Sequence, residues 1–267
     1  GGGEKGLADG TRANEAQLLA NRGAVAYAEP QNQAERPCYV VAPQTVDPNR
    51  WEGDKVLELV DELINENPDI DTSRIYISGC SMGGAGTWST ILLDSSPFAA
   101  ALLCPGGNTS DAEAMMEVKD LPIWMLQTGE DTLEATEQAY NTLVSIGADV
   151  KWSHLPSGAN GYPNDHWSWV PTVNNYYSEE YGISTFDWLF SQRNDKVSFD
   201  VVSEVFEYGQ DTVAVVIDAK QDVNASDVSI DSFEVNTTNI NPFNGSVAFE
   251  GEREITNVYV SDTKDAD

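Results

Sequence analysis

Ser81 stands at the centre of Gly79-Cys80-Ser81-Met82-Gly83, a G-x-S-x-G pentapeptide. A serine hydroxyl attacks a carbonyl carbon only when a neighbouring base removes its proton. The chain has two histidines, His154 and His166. His154 falls within the alternating run Val150–Leu155 and reads as a sheet residue. His166 follows the loop 156–165 and precedes an aromatic segment, which suits a base in a chain that runs Ser, acid, His. The acid then belongs between Ser81 and His166. Thr128-Gly129-Glu130-Asp131-Thr132 follows the apolar run Ile123–Gln127 directly, so Asp131 is the first candidate and Glu130 its rival. The plainer role for Asp131 is to cap a helix starting near Leu133. Asp149 and Asp165 are weaker candidates, one ahead of a strand and one adjacent to His166.

Acyl transfer also needs donors for the oxyanion. The N–H of Met82, immediately after the serine, is one. Gly1-Gly2-Gly3-Glu4 is a candidate for the other, with Gly2 and Gly3 contributing backbone N–H groups. Taken alone, that tripeptide is a flexible tail. Trp167 and Trp169 flank His166. Trp167 and Cys80 are candidates for the substrate pocket, with packing against the sheet as the plainer role. Trp88 and Trp124 read as core.

These residues work only if the backbone aims them. Arg74–Ser78 is a β-branched and aromatic run of strand length, and a helix-like segment follows Gly83. A strand, a sharp turn with Ser at its apex and a helix make a nucleophile elbow. Glycines on both sides of the serine are expected on steric grounds. Further strands are predicted over Cys38–Ala42, Ala99–Cys104, Ile123–Gln127 and Val150–Leu155. Helices are predicted over Asn14–Asn21, Trp51–Asn65, Leu133–Ile146, Ser168–Tyr177 and Ser184–Gln192. Strands alternating with helices imply a parallel sheet covered on both faces, with ligands at the carboxyl ends of its strands. Ser81, the loop after Gln127 and the loop after Leu155 all fall at that end. From about Lys196 helical periodicity stops. Short alternating segments at Val197–Val205, Thr212–Ile217, Val228–Val235, Ser246–Phe249 and Ile255–Val260 predict a small all-β module of immunoglobulin-like type, with the boundary at Gln192–Asp195.

The charge is lopsided: 44 acidic against 14 basic residues give a formal net charge of −30 over 267 residues. Such a chain repels nucleic acid and anionic membrane, and neither is expected as a partner. The excess serves solubility or fits high salt, where screening relieves self-repulsion. No apolar run approaches the roughly 20 residues that span a bilayer. Cys38, Cys80 and Cys104 make no disulfide framework and no metal spacing. Cys38 and Cys104 read as small buried hydrophobes, with a bridge between them left open. No metal or organic cofactor is expected. The chain opens on Gly1-Gly2-Gly3 without Met, which reads as part of a longer polypeptide.

Arg74-Ile75-Tyr76-Ile77-Ser78-Gly79-Cys80-Ser81-Met82-Gly83-Gly84-Ala85-Gly86-Thr87-Trp88 resembles the R-I-Y-x-x-G-x-S-M-G-G-x-G-T-W signature of peptidase-like bacterial carboxylesterases. These are relatives of feruloyl esterases and polyhydroxybutyrate depolymerases. Gly1–Gly6 is similar to their H-G-G-G-E-x-G, and Asp165–Trp169 to their G-H-x-S-W. The likeness covers about residues 1–193. It implies an α/β-hydrolase three-layer sandwich, its first strands missing here, with Ser81, His166 and Asp131 as a triad. The family's acid loop is usually longer, and its loop before the histidine shorter. The tail, 196–267, resembles the immunoglobulin-like domain that precedes the catalytic domain in some of these esterases. The resemblance implies a secreted hydrolase of small-molecule or polysaccharide-linked esters, feruloyl or acetyl. Two other functions share these residues: a serine peptidase of prolyl-oligopeptidase type, and a non-catalytic protein that binds carbohydrate or a partner.

Overall fold

The computed structural model describes residues 22–45, 47, 49–104, 106–195, 198–206, 209–219, 223–240 and 246–261. The predicted helix Asn14–Asn21 and the glycines Gly2 and Gly3 lie outside them. The chain divides into two units, Gly1–Asn194 and Asp195–Asp267.

Among the described residues the first unit begins with two short helices, α1 (Gly23–Ala28) and α2 (Pro30–Glu35). Pro30 sits at the start of α2, where its missing N–H is no loss. α3 spans Gly53–Glu66. Leu57 and Val60 pack against the core. Val60 also joins Val56, Leu59, Leu63 and Ile64 in lining an apolar cavity of about 1050 Å³ that extends to Cys80 and Met82. The helix stops where both the backbone N–H and the side chain of Asn67 donate to the Leu63 carbonyl, one residue before Pro68.

β1 (Tyr76–Gly79) leads into α4 (Met82–Ile91), then come β2 (Ala100–Leu103), a short α5 (Ala112–Met115), β3 (Ile123–Thr128), α6 (Leu133–Ser145) and β4 (Val150–Leu155). The four strands form one parallel sheet in the order β1-β2-β3-β4. Because side chains alternate along a strand, the sheet serves two cores. Ala101, Leu103, Ile123 and Met125 face Trp88, Ile91 and Leu143 on one side. Ala100, Leu102 and Trp124 face Trp188 and Leu189 on the other. Trp124 lies edge-on to both Trp188 and Tyr181, and its indole N–H donates to Ser153 Oγ. Gly147 follows α6 with φ 79°, the left-handed conformation that ends a helix without a Cβ clash.

After β4 the chain builds α7 (Trp169–Val173), the hairpin β5 (Tyr177–Ser178) with β6 (Ile183–Ser184), and α8 (Thr185–Ser191). Ser184 caps α8 by accepting from the Asp187 N–H. The helix expected over Ser168–Tyr177 is shorter than predicted. It ends at Val173, and the Tyr176 N–H turns back to the Pro171 carbonyl.

One predicted strand is absent. Residues 38–42 form no strand and pair with none among the described residues. The Cys38 N–H donates to the Gln33 side chain, whose amide donates in turn to the Cys38 carbonyl. A side chain thus takes the place of a ladder. Tyr39 is 61% exposed, so this segment is no buried strand either.

The second unit contains two antiparallel pairs, β7 (Ser198–Phe206) with β8 (Gly209–Asp218) and β9 (Val235–Ile240) with β10 (Val247–Arg253). These small antiparallel pairs fit an immunoglobulin-like module. Two predicted strands did not form. Within 228–235, Ile230–Ser232 makes a 3₁₀ turn fixed by a capping box between Ser229 and Ser232. Such local side-chain bonds compete with a strand ladder. Residues 255–260 likewise lie outside any strand.

Candidate active site

Ser81 sits between the end of β1 and the start of α4 with φ 55° and ψ −122°. Non-glycine residues seldom adopt positive φ, and here it lifts the side chain off the strand axis. The bend is held by two backbone bonds, Gly83 N–H to the Cys80 carbonyl at 2.8 Å and Ala85 N–H to the Ser81 carbonyl at 3.0 Å. The two motif glycines differ. A Cβ on Gly79 would overlap the Gly83 carbonyl, whereas a Cβ on Gly83 would meet nothing within 4 Å among the described residues. The described residues thus impose the expected steric demand at Gly79 and none at Gly83.

His166 arrives from the loop after β4. Its Nε2 lies 2.8 Å from Ser81 Oγ and its Nδ1 2.7 Å from Asp131 Oδ2. A carboxylate only accepts, so Nδ1 carries the proton and Nε2 accepts from the serine hydroxyl. Asp131 projects from the turn after β3. That turn is tied from below by buried Gln127, whose amide donates to the Asp131 carbonyl at 2.5 Å. The cap position of α6 belongs to Thr132, which makes no side-chain capping bond. The helix-capping role for Asp131 is therefore not the one it plays.

The remaining candidates lie elsewhere. Glu130 and Asp149 are exposed. His154 donates through Nε2 to the Gly129 carbonyl at 2.8 Å and stacks on Trp152. Asp165 fastens its own loop, accepting from Ser157 Oγ and the Gly158 N–H. Those two bonds, the hydroxyl first, hold its carboxyl below the usual carboxylate range. The loop abuts the acid turn closely, since a Cβ on Gly129 would strike the Asp165 carboxylate. Asp165 thus helps to bring His166 to Asp131, a part the sequence pattern did not reveal.

Met82 is the first residue of α4, where backbone N–H groups have no partner inside the helix. Among the described residues no hydrogen bond engages its N–H, which leaves that donor free beside Ser81. The second expected donor pair, Gly2 and Gly3, lies outside the described residues. Cys80 packs beneath the bend, where burial raises its thiol pKa. Cys104 is buried completely and pushed up to about 12, first by desolvation and then by Cys80. All three cysteines are free, so no Cys38–Cys104 bridge forms.

An aromatic group extends from the imidazole. Trp169 meets His166 edge-on at 5.6 Å, Trp167 lies 6.2 Å from Trp169, and Tyr162 meets Trp167 edge-on at 5.0 Å. Among the described residues, no cluster of three or more His, Cys, Asp or Glu side chains is arranged to hold a metal ion. None of the described helices is long and apolar enough to cross a membrane.

Residues 198–267 match the family described as the esterase Ig-like N-terminal domain. In this chain that module follows the α/β unit. The chain is similar to the solved structure of a thermostable esterase, at 31% identity and a TM-score of 0.60 over 72% of this chain and 53% of that one. It therefore spans about half the length of that protein. Weaker likenesses are to SOBER1 of Arabidopsis thaliana (23% identity, TM-score 0.34, 46% of this chain and 62% of that one) and to a bacterial esterase (17%, TM-score 0.33, 55% and 45%). No curated protein matches the sequence. The chain thus carries an α/β-hydrolase-like unit followed by an esterase-type immunoglobulin-like module.

Proposed function

We propose that the chain is a serine carboxylic-ester hydrolase that works through an acyl-enzyme. The observation that carries this reading is the pair of hydrogen bonds joining Ser81 to His166 and His166 to Asp131. The similarity to a thermostable esterase supports it. Ser81 Oγ attacks the ester carbonyl while His166 Nε2 takes its proton. Asp131 keeps the imidazole in the tautomer with Nδ1 protonated, and stabilises the imidazolium that forms. The Met82 N–H, at the positive end of α4, donates to the developing oxyanion. Gly2 and Gly3 supply the further donors that the sequence implies. A donor of this kind contributes about 3 kcal/mol to the transition state. His166 then returns the proton to the departing alcohol, and a water repeats the sequence on the acyl-enzyme.

The substrates implied by the resemblance are feruloyl or acetyl esters on plant polysaccharide. The same groups serve amide hydrolysis in a peptidase, so the test runs two substrates in parallel. The chain is expected to hydrolyse 4-nitrophenyl acetate and to leave a peptide anilide intact. A fluorophosphonate probe should label Ser81, as mapped on the modified peptide. Labelling elsewhere, or anilide turnover that exceeds ester turnover, overturns the assignment.

A further inference from the structure

The connection from β2 to α5 touches both the nucleophile helix and the acid turn. A Cβ on Gly106 would overlap the Ser81 carbonyl, and one on Gly107 would strike Ala85. Asn108 comes next and is half-buried. Its side-chain oxygen accepts from the indole N–H of Trp88 at 3.0 Å, and its amide donates to Thr136 Oγ1 at 2.8 Å. The Thr136 hydroxyl donates in turn to the Thr132 carbonyl at 3.1 Å. Trp88 belongs to α4, the helix that starts directly after Ser81, and Thr132 follows Asp131 in the chain. Three hydrogen bonds in series thus join the helix behind the nucleophile to the turn that carries the acid.

Donor and acceptor chemistry fixes the direction of the series. An indole N–H only donates, so the Asn108 oxygen faces Trp88 and its amide faces Thr136. The Thr136 hydroxyl accepts from that amide and keeps its own proton for Thr132. The three dipoles point the same way and polarise one another. Trp88 and Thr136 are buried, so water competes little for these bonds. At the far end the Thr132 carbonyl takes a second bond, from the Thr136 N–H at 3.0 Å. Thr132 needs that hold, because its φ of 53° is unfavourable for a β-branched residue. Such a backbone persists only where its surroundings over-determine it. If it relaxed, Asp131, joined to it by one peptide bond, would turn from His166 Nδ1. The plainer role for Asn108 is to satisfy the buried indole. That role needs the first bond alone, whereas the second and third lead to the acid turn.

We infer that Asn108 is a positioning residue, which holds the Thr132 turn through Thr136 and so aims Asp131 at His166. The kinetic part of this inference rests on the esterase reading. Two variants cut the series at different links. Asn108→Asp keeps the shape of the side chain and its bond to Trp88, but a carboxylate only accepts. The Thr136 hydroxyl must then donate to it and release the Thr132 carbonyl. Thr136→Val removes the hydroxyl without adding charge. Each variant should lower kcat for 4-nitrophenyl acetate about ten- to hundredfold, the cost of a misplaced catalytic group, and leave KM unchanged. Thr136→Ser should keep most of the rate. The double variant should lose little more than the worse single one, because both cut one series. A loss in Asn108→Asp alone belongs to the added charge and overturns the inference. Losses that multiply in the double variant overturn it too, as does a lower unfolding temperature with kcat per folded molecule intact. The proton on His166 Nδ1 gives a readout without substrate. Bonded to the Asp131 carboxylate at 2.7 Å, it resonates at low field. Both variants should move that signal upfield. Movement of the signal in a protein that turns over no ester sinks the esterase reading and leaves the positioning role standing. Ester turnover with kcat and the signal unmoved in both variants does the reverse.

Discussion

At the residue scale the catalytic assignment is a matter of which imidazole faces the serine. His166 bonds to Ser81 and Asp131, whereas His154 is occupied with a backbone carbonyl and a tryptophan face. Ser81→Ala and His166→Ala should each lower kcat on the order of 10⁴-fold or more. His154→Ala should cost less than about tenfold, because it loosens the Gly129 turn without touching the proton path. Steady-state kinetics of the three variants check this, and a His154 loss equal to that of His166 would refute it. The pentapeptide offers a second contrast. Gly79→Ala drives a Cβ into the Gly83 carbonyl and should abolish folding or activity, while Gly83→Ala meets none of the described residues and should retain both. Ser81 was legible from its motif and His166 from its position after the last strand. Asp131 could be read only as one of two neighbours, because a sequence does not say which of two adjacent carboxylates turns inward. Asp165 reads from the sequence only as a weaker acid candidate, because its bonds to Ser157 and Gly158 depend on a loop conformation that no periodicity encodes.

At the scale of elements, two close approaches decide how well the site is held. The first is the loop before His166. Asp165 has a carboxyl held low by the Ser157 hydroxyl and the Gly158 N–H. A depressed pKa contributes stability that is complete above the unfolded value, about 3.9, and is lost as pH falls through the lower folded value. The loop should therefore stay fastened at neutral and mildly acidic pH and open only as pH falls below the ordinary carboxylate range. Hydrogen exchange at the Gly158 amide, corrected for the intrinsic rate, should show that step in the wild type and lose it in Asp165→Asn. The second approach is between α3 and α4. A Cβ on Gly53 would overlap the backbone at Ser89 and Thr90. Ala gains roughly 1 kcal/mol over Gly in a helix, but overpacking costs about 1–3 kcal/mol, and backbone atoms cannot move aside as a side chain would. Gly53→Ala should therefore lower the midpoint of urea unfolding. A raised midpoint would show that the helices have slack. Elements with strong periodicity, such as α3, α6, β3 and β4, were readable within a residue or two. The strand over 38–42 was not: its apolar run satisfies a strand pattern, yet a strand also needs a neighbour, and here Gln33 takes the backbone of Cys38 instead.

At the scale of the molecule the governing quantity is charge. Fourteen basic residues cannot neutralise 44 acidic ones, whatever pairs they make. Pairs such as Lys55–Glu58 and Arg36–Asp187 join exposed or partly exposed side chains, and surface pairs contribute at most about 1 kcal/mol each. The surplus carboxylates repel one another more strongly in the compact state than in the expanded chain, so repulsion subtracts from stability. Salt shortens its range, with a Debye length of about 10 Å at 0.1 M and about 3 Å at 1 M. The few attractive pairs weaken over the same range, but they are outnumbered, so screening should help on balance. The unfolding temperature should therefore climb as sodium chloride rises from low concentration to about 1 M. Chloride and sulfate at matched ionic strength separate screening from surface exclusion, because sulfate adds the latter. A climb seen with sulfate alone would assign the gain to burial of apolar surface. A fall with both salts would mean that the exposed ion pairs outweigh the acidic excess.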